Sequence, residues 1–409
     1  MNKPELIPHL FRSEYRKIVS VLCKRFGLDE IELAEDIASD TFLTASQVWS
    51  LKEVPPNPLA WLYAVASNKA KNHLQRRSHF QKKIAPQLRK ETPASDESAI
   101  DLSPRNINDS QLQMMFAICH PSIPAEAQIG LSLRILCGFG IDEIADAFLS
   151  NKETINKRLF RAKEKLREEK IPIAFPPEAE IQQRLENVLT TIYLLFNEGY
   201  YSTSQHGTIR RELCFEAIRL CGMLVENPGT NRPEANALLA LMCFHASRLD
   251  ARLDQNGEMI LYDDQQTSLW DADLISKGAY HLNVSATGSR LSRYHLEAAI
   301  AYWNTRKEDT VEKWESILQL YNRLLQLEYS PAAALNRTFA LSKARGKQAA
   351  IPEAEKLSLK QNQFYDMLLG ELYSGIDNSK AKQHFKEALA LARTPNDKKV
   401  IQKKLDGLL

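Results

Sequence analysis

The sequence has few glycines and prolines and no long apolar run, and these shortages exclude several classes of protein. Its 409 residues include 15 glycines and 18 prolines, too few for a collagen-like, sandwich-like or mostly disordered chain. The longest uncharged apolar stretch, at 235–247, is about a dozen residues, whereas a membrane-spanning helix needs about 20. Residues 1–10 lack the apolar segment of a secretory signal. We therefore expect a cytoplasmic protein.

Reactive and metal-binding patterns are also missing. None of the six cysteines forms a C-x-x-C pair, and most lie on apolar helical positions, which favours reduced, buried thiols. No nucleophile–base pair, glycine-rich phosphate loop or His/Cys metal pattern occurs. An acidic group around Asp254 and Asp263 lacks the calcium-loop spacing, because Gly257 follows Asp254 too closely. We predict that the chain is not an enzyme and carries no metal or cofactor.

Charge is nearly balanced overall, at +2, but it is unevenly placed. Residues 1–90 hold 15 basic and 9 acidic residues, whereas 91–110 hold 1 and 5. The span from 60 to 90 contains eight basic residues and no acidic one. This asymmetry suggests a polyanion as partner, although a solvated helix face remains an equal alternative on charge alone.

Helical periodicity dominates the chain, which predicts an all-α fold of several domains. We expect a helical bundle at 1–90, an acidic flexible linker at 91–110, a helix–turn–helix domain at 111–170 and a Pro-rich linker at 171–177. A helical domain then occupies 178–409, where 331–409 resembles degenerate tetratricopeptide repeats more than an irregular bundle. Alternating apolar residues around Asn256-Gly257 predict a small β-hairpin near 252–262.

A short helix at 141–148 and a basic helix at 152–167 have the form of a DNA-binding helix–turn–helix. Leu149 stands in the turn where glycine is usual, and an ordinary helical hairpin is the alternative. Apolar residues would dock the second helix, leaving polar and basic ones to reach bases and phosphates. The candidate DNA-contacting residues are Lys152, Thr154, Asn156, Lys157, Arg158 and Arg161.

Two further helices carry candidate binding residues. On the helix that begins near Leu59, Lys and Arg would contact phosphates and Asn and Gln could read base edges, whereas Trp61 favours a core position. These candidates are Asn68, Lys69, Lys71, Asn72, Gln75, Arg76 and Arg77. The preceding helix presents Glu35, Asp36 and Asp40, an acidic face that suits a basic protein helix or is merely solvated.

Together these motifs resemble the sigma factors of bacterial RNA polymerase, specifically the small extracytoplasmic-function type. Residues 34–49 resemble the polymerase-binding segment of region 2, although Ser39 replaces a common Gln, and 57–70 resemble the segment that opens the strands and reads the −10 element. Residues 124–167 resemble region 4, which reads the −35 element. Ala147-Phe-Leu149, 171–176 and blocks near 193–200, 211–220 and 263–270 resemble a subgroup with a long tetratricopeptide-like extension. Gln266-Thr267 departs from that subgroup's usual Asp-Arg.

The resemblance implies a transcription initiation factor whose partners are core RNA polymerase and promoter DNA, with no catalytic residues of its own. Glu35, Asp36 and Asp40 would bind the polymerase, the 60–90 helix the −10 element and the 152–165 helix the −35 element. The loop 49–58 would lie near a flipped base. The domain 178–409 would control activity through a protein partner or an intramolecular contact. The alternative is a conventional helix–turn–helix regulator, or a repeat scaffold, that does not need core polymerase.

Overall fold

In the computed structural model the chain is described at residues 3–84, 100–148, 150–201, 211–254, 260–288, 290–392 and 395–408, and most of these residues are helical. Loops and short 3₁₀ turns connect the helices, and no strand occurs within these ranges. The predicted all-α fold class is confirmed. None of the described helices is long and apolar enough to cross a membrane.

The N-terminal half contains helices of very different length. They are α1 (Lys3–Phe26), α2 (Ile31–Leu51), α3 (Pro58–Ile84), α4 (Pro104–Ile118), α5 (Ala125–Ile135), α6 (Ile141–Ala147), α7 (Lys152–Glu168) and α8 (Glu178–Tyr201). A 3₁₀ turn, Leu28–Glu30, joins α1 to α2. Gly27 permits this sharp connection because its φ of 100° is unfavourable for residues with a side chain.

Helix α4 begins earlier than the sequence predicts, within the segment expected to be a flexible linker. Ser103 accepts a hydrogen bond from the Asn106 backbone N–H, and Pro104 occupies the first helical turn. A serine cap followed by proline is a strong helix start. Residues 104–110 therefore belong to α4, while most of the predicted linker, 85–99, lies outside the described residues.

The chain divides into two compact units. Unit 1 comprises Met1–Leu213 with Glu226–Thr230, and unit 2 comprises Cys214–Val225 with Asn231–Leu409. In unit 1, α1 packs against α2, α3 and α4, while α5 packs against α7 and α8. Helix α8 lies beyond the predicted linker 171–177 and yet packs within unit 1 through Leu185 and its apolar neighbours. The C-terminal domain was predicted to begin at 178, ahead of α8, and that boundary stays a prediction.

Unit 2 is built from consecutive helices, most of which pack against the next one along the chain. They are α9 (Arg211–Glu226), most of which belongs to this unit, α10 (Pro233–Ala246), α11 (Ala272–Ser285), α12 (Arg293–Trp303), α13 (Val311–Leu327), α14 (Pro331–Arg345), α15 (Lys347–Leu357), α16 (Gln363–Tyr373), α17 (Asn378–Leu391) and α18 (Pro395–Asp406). Almost every residue of α10 is buried, so this helix forms the centre of its packing group. The tetratricopeptide-like assignment of the later helices stays a prediction.

The segment predicted to form a β-hairpin has only a single bridge in its described part. Leu253 forms that bridge, and the Ile260 backbone N–H donates to the Arg252 carbonyl at 2.8 Å. The Asn256-Gly257 turn lies outside the described residues, so the hairpin itself stays a prediction. Just beyond it, Lys307 Nζ donates to the carbonyls of Tyr262, Asp263 and Gln265, which fixes this loop against the helices.

The cysteines have the environment that the sequence predicts. All six lie in described residues, where they are buried and form no disulfide. Burial raises the pKa of Cys119 and of Cys243 to about 12, so these thiols stay protonated at neutral pH.

Candidate functional site

Helix α2 has an apolar face that is buried and an opposite, acidic face that is mostly exposed. Ile37, Ala38 and Phe42 are buried on the inner side, and this anchors the helix against α1 and α3. Asp36 and Asp40 are exposed on the outer side, whereas Glu35 is half-buried. The three predicted carboxylates thus share one helix, and two of them are open to a partner.

The acidic and basic candidate groups meet where α2 crosses α3. Lys69 Nζ lies 3.5 Å from Asp40 Oδ2, so one predicted DNA-contacting residue already pairs with one predicted polymerase-contacting residue. Ion pairs this exposed contribute about 0–1 kcal/mol. The pair is therefore weak enough to exchange for a phosphate or for a basic partner.

The polar face of α3 is continuous over more than two turns. Leu62, Ala66 and Ala70 are fully buried and hold the helix in unit 1. The opposite face exposes Asn68, Lys71, Asn72, Gln75 and Arg76, with Lys69 half-buried among them. The side chain of Arg77 lies outside the described residues.

Two tryptophans, one near the end of α2 and one near the start of α3, pack together beside the connecting loop. The rings of Trp49 and Trp61 lie 5.3 Å apart; Trp49 is only 3% exposed, and Trp61, for which a core position was predicted, is half-buried against it. Trp49 Nε1 is buried without a hydrogen-bond partner in the described residues. Asn57 begins α3 by accepting the Ala60 backbone N–H at 3.0 Å.

Helices α6 and α7 pack together through apolar contacts and leave a polar face of α7 exposed. Ile144, Ile155 and Leu159 are buried, and Asn151 caps α7 by accepting the Thr154 backbone N–H at 2.8 Å. Lys152, Thr154, Asn156, Lys157 and Arg161 are exposed, and Arg158 is half-buried. Leu149, the unusual turn residue, lies outside the described residues.

Two of the four predicted DNA-contacting cations on α7 already have carboxylate partners within the protein. Lys152 Nζ lies 2.5 Å from Asp142 Oδ1, and Arg158 Nη2 lies 2.9 Å from Glu126 Oε2. For Lys157 and Arg161 the structure gives no ion pair with any described residue. Lys157 and Arg161 are therefore the cations most available to an incoming phosphate or base.

Sequence reasoning missed one exposed apolar residue beside the polar face of α7 and one beside the acidic face of α2. Phe160 is 66% exposed on α7, next to Arg161, and Leu43 is 56% exposed on α2. Helical spacing carried the signal for Phe160, because it lies off the buried stripe that includes Leu159 and Ala162. Each is a single exposed apolar side chain, which is ordinary on a protein surface, so its bearing on binding comes from the polar residues beside it.

Within unit 1, the α1–α3 segment and the α4–α7 segment are held together by several polar contacts. Arg16 Nη1 donates to the Leu136 carbonyl at 3.2 Å, and Lys24 Nζ donates to Asn106 Oδ1 at 3.1 Å. Arg167 Nη2 lies 3.1 Å from Glu32 Oε2. The polar surfaces of α3 and α7 therefore belong to one compact body.

Comparison with known proteins finds two family matches and one relative that covers most of the chain. Residues 10–80 match the family described as Sigma-70 region 2, and 184–286 match a family of unknown function (DUF6596). An uncharacterized protein of Rhizobium meliloti (strain 1021) is 32% identical over 383 residues, which is 92% of this chain and 90% of the relative. No solved structure matches the chain. The first match covers α2 and α3, where the acidic and basic surfaces meet.

Proposed function

Since this chain belongs to the sigma-70 family, we propose that it binds core RNA polymerase and directs it to promoters by recognising −10 and −35 elements and opening the strands. The observation that carries this proposal is the region 2 match over 10–80, which coincides with the exposed acidic face of α2 and the exposed basic face of α3. The polymerase performs the chemistry, so the factor itself needs no catalytic group.

The polymerase-binding surface would consist of Asp36, Asp40, Glu35 and the neighbouring Leu43. Asp36 and Asp40 are exposed and suit a basic helix of the partner, and Leu43 adds apolar area. Charge complementarity of this kind speeds association and sets orientation. Binding would release Lys69 from Asp40, leaving it free to turn to DNA.

The −10 element would lie along α3. Lys71 and Arg76 are exposed cations that suit phosphates, and Asn68, Asn72 and Gln75 suit base edges. Extruding a base from the duplex costs a few kcal/mol. The loop that follows Trp49 is well placed in sequence to receive such a base, because it directly precedes this helix.

The −35 element would receive α7 in its major groove. The exposed polar residues on its first turns would reach base edges and phosphates, as in other helix–turn–helix proteins. Phe160 adds an apolar group that suits a thymine methyl. The residues we propose for this role are Lys152, Thr154, Asn156, Lys157, Arg158 and Arg161.

Promoter binding would require the two halves of unit 1 to separate. The −10 and −35 elements lie about 25 base pairs apart, or about 85 Å at about 3.4 Å per base pair. That span is far greater than the reach of one compact body of the length of unit 1, whose expected radius of gyration is about 17 Å. The polar contacts at Arg16, Lys24 and Arg167 contribute about 2–3 kcal/mol together. The packing of α1 on α4 adds to this cost, and polymerase and promoter contacts would have to offset both.

The residues after α8 would control this opening. We propose that the helical stack of unit 2 binds a protein partner or acts intramolecularly, since stacked helical hairpins form extended binding surfaces. Because α8 packs on α4 and α5, a deletion that tests this role should end after Tyr201 rather than at the predicted linker.

Promoter-specific run-off transcription with core polymerase tests the proposal. The full chain should direct initiation from a promoter selected from a random library, and core polymerase alone should not. The fragment 1–201 should differ from the full chain in activity if unit 2 exerts control. Equal activity would contradict the regulatory role but not the sigma role. No selective initiation by either chain would contradict both.

A further inference from the structure

We propose that Asp366, His384 and Glu387 form a binding site for a divalent first-row transition-metal ion such as Zn²⁺, which joins α16 to α17. The site lies in unit 2, outside every residue assigned to polymerase or promoter binding, and it is independent of the proposed function. One nitrogen and two carboxylate groups converge there from two helices. Such mixed nitrogen and oxygen sites are typical of zinc and its neighbours in the first row.

The spacing of the donor atoms suits a metal ion. His384 Nδ1 lies 3.1 Å from Asp366 Oδ1 and 3.7 Å from Glu387 Oε2, and all three donor atoms lie within 4.8 Å of one another. Ligands at about 2.0–2.1 Å from a tetrahedral zinc ion are about 3.3 Å apart. The two measured separations bracket that value, so small side-chain movements would complete the geometry.

Helix packing explains why these side chains face one another. Gly370 lies on α16 where any side chain would collide with Phe385 of α17, because a Cβ there would come within 2.7 Å of the ring. The glycine thus lets the helices approach closely. Asp366 lies one turn before Gly370, and His384 directly precedes Phe385, so the same close approach brings the acid and the imidazole together.

Neighbouring groups hold the donors in place, as the outer contacts of metal ligands commonly do. The imidazole of His384 lies parallel to the ring of Tyr373, with 6.0 Å between centroids and 7° between planes. Gln383 Nε2 donates to Glu387 Oε1 at 3.0 Å, which leaves Oε2 directed toward His384. These contacts reduce the conformational freedom that metal binding would otherwise remove.

Charge and access also favour a cation. Asp366 is 6% exposed, and a buried carboxylate close to a second one is unfavourable unless a proton or a cation intervenes. The side chain of Glu387 is 48% exposed, so an ion can enter from solvent.

Isothermal titration of the metal-stripped full chain with ZnCl₂ tests the site. We expect one saturable ion per chain, and at least about tenfold weaker binding in both His384→Gln and Glu387→Gln, since even outer contacts to a metal ligand contribute about 10–100-fold. Glu387→Gln is the safer variant, because an exposed glutamate is dispensable for folding. The visible absorption of Co²⁺ in the wild-type protein should disappear in the same variants.

His120→Gln is the matched control. His120 has the same side-chain exposure as His384, 21%, but among the described residues the structure gives it one carboxylate at ion-pair distance, that of Glu169 at 3.9 Å. We expect it to bind Zn²⁺ as the wild type does. The proposal fails if the wild type shows no saturable ion, if both site variants bind as tightly as the wild type, or if the control loses as much affinity as they do.

Discussion

Alanine substitution along α7 should rank its cations by the partners they already have within the protein. Lys157 and Arg161 have no ion pair with a described residue, whereas Lys152 and Arg158 must first leave Asp142 and Glu126. A specific base contact contributes about 1–3 kcal/mol, and an exposed ion pair about 0–1 kcal/mol. Arg161→Ala should therefore weaken promoter binding about 5- to 150-fold. The loss in Lys152→Ala should be smaller than this by a factor of up to about five, because Lys152 must first leave its ion pair.

The assay is equilibrium binding of reconstituted holoenzyme to a promoter fragment, repeated with the −35 element scrambled. Lys165→Ala is the control, because Lys165 is an exposed cation in the last turn of the same helix and already pairs with Glu169 at 2.9 Å. The scrambled fragment should abolish the difference between Arg161→Ala and wild type. Equal losses for all of these variants, or a loss that persists on the scrambled fragment, would refute the reasoning.

Three other predictions concern Gly370 with its control Gly222, then His245, then Lys71. Gly370→Ala should cost about 1–3 kcal/mol in the free energy of unfolding, because its methyl group meets Phe385, whereas Gly222→Ala meets no neighbouring atom and should be neutral or stabilising in urea titrations. Burial lowers the pKa of His245 to about 3, so only the unfolded chain takes up a proton at this residue below about pH 6.5. The free energy of unfolding should therefore fall by about 2 kcal/mol between pH 7 and pH 5, and it should fall by less in His245→Gln. Lys71→Ala should reduce the slope of log affinity against log salt by about 0.7–0.9 in holoenzyme binding; an unchanged slope would remove Lys71 from the DNA surface.

Local patterns predicted the helices and their buried faces well, because burial of an apolar stripe follows directly from helical spacing. Ile155, Leu159, Ala162 and Leu166 form the inner face of α7 as expected, and the polar residues between them are exposed. The same argument placed Asp36 and Asp40 on the outside of α2, whereas Glu35 is half-buried. The exposed faces of α2, α3 and α7 could therefore be located from sequence alone.

Long-range pairings could not be predicted, because periodicity shows that a face is buried but not what covers it. Nothing in the local pattern indicates that Arg167 pairs with Glu32, or that α8 packs on α4 and α5. Lys313, only 2% exposed, is a further example. Its ammonium group donates to the Tyr262 hydroxyl, which is far from it in sequence, and to the Arg306 carbonyl, which lies across the loop before α13. These tertiary contacts allow a charged side chain to be buried.

Binding of the full chain to core RNA polymerase, measured by co-elution in size exclusion, tests the central claim most directly. Asp36→Lys supplies the specific variant, because Asp36 is exposed on α2, and Glu168→Lys supplies a control at an exposed position on α7. We predict that the wild type and the control co-elute with the polymerase and that Asp36→Lys binds far more weakly. A wild-type chain that does not bind core polymerase but shifts promoter duplex unaided would contradict the account.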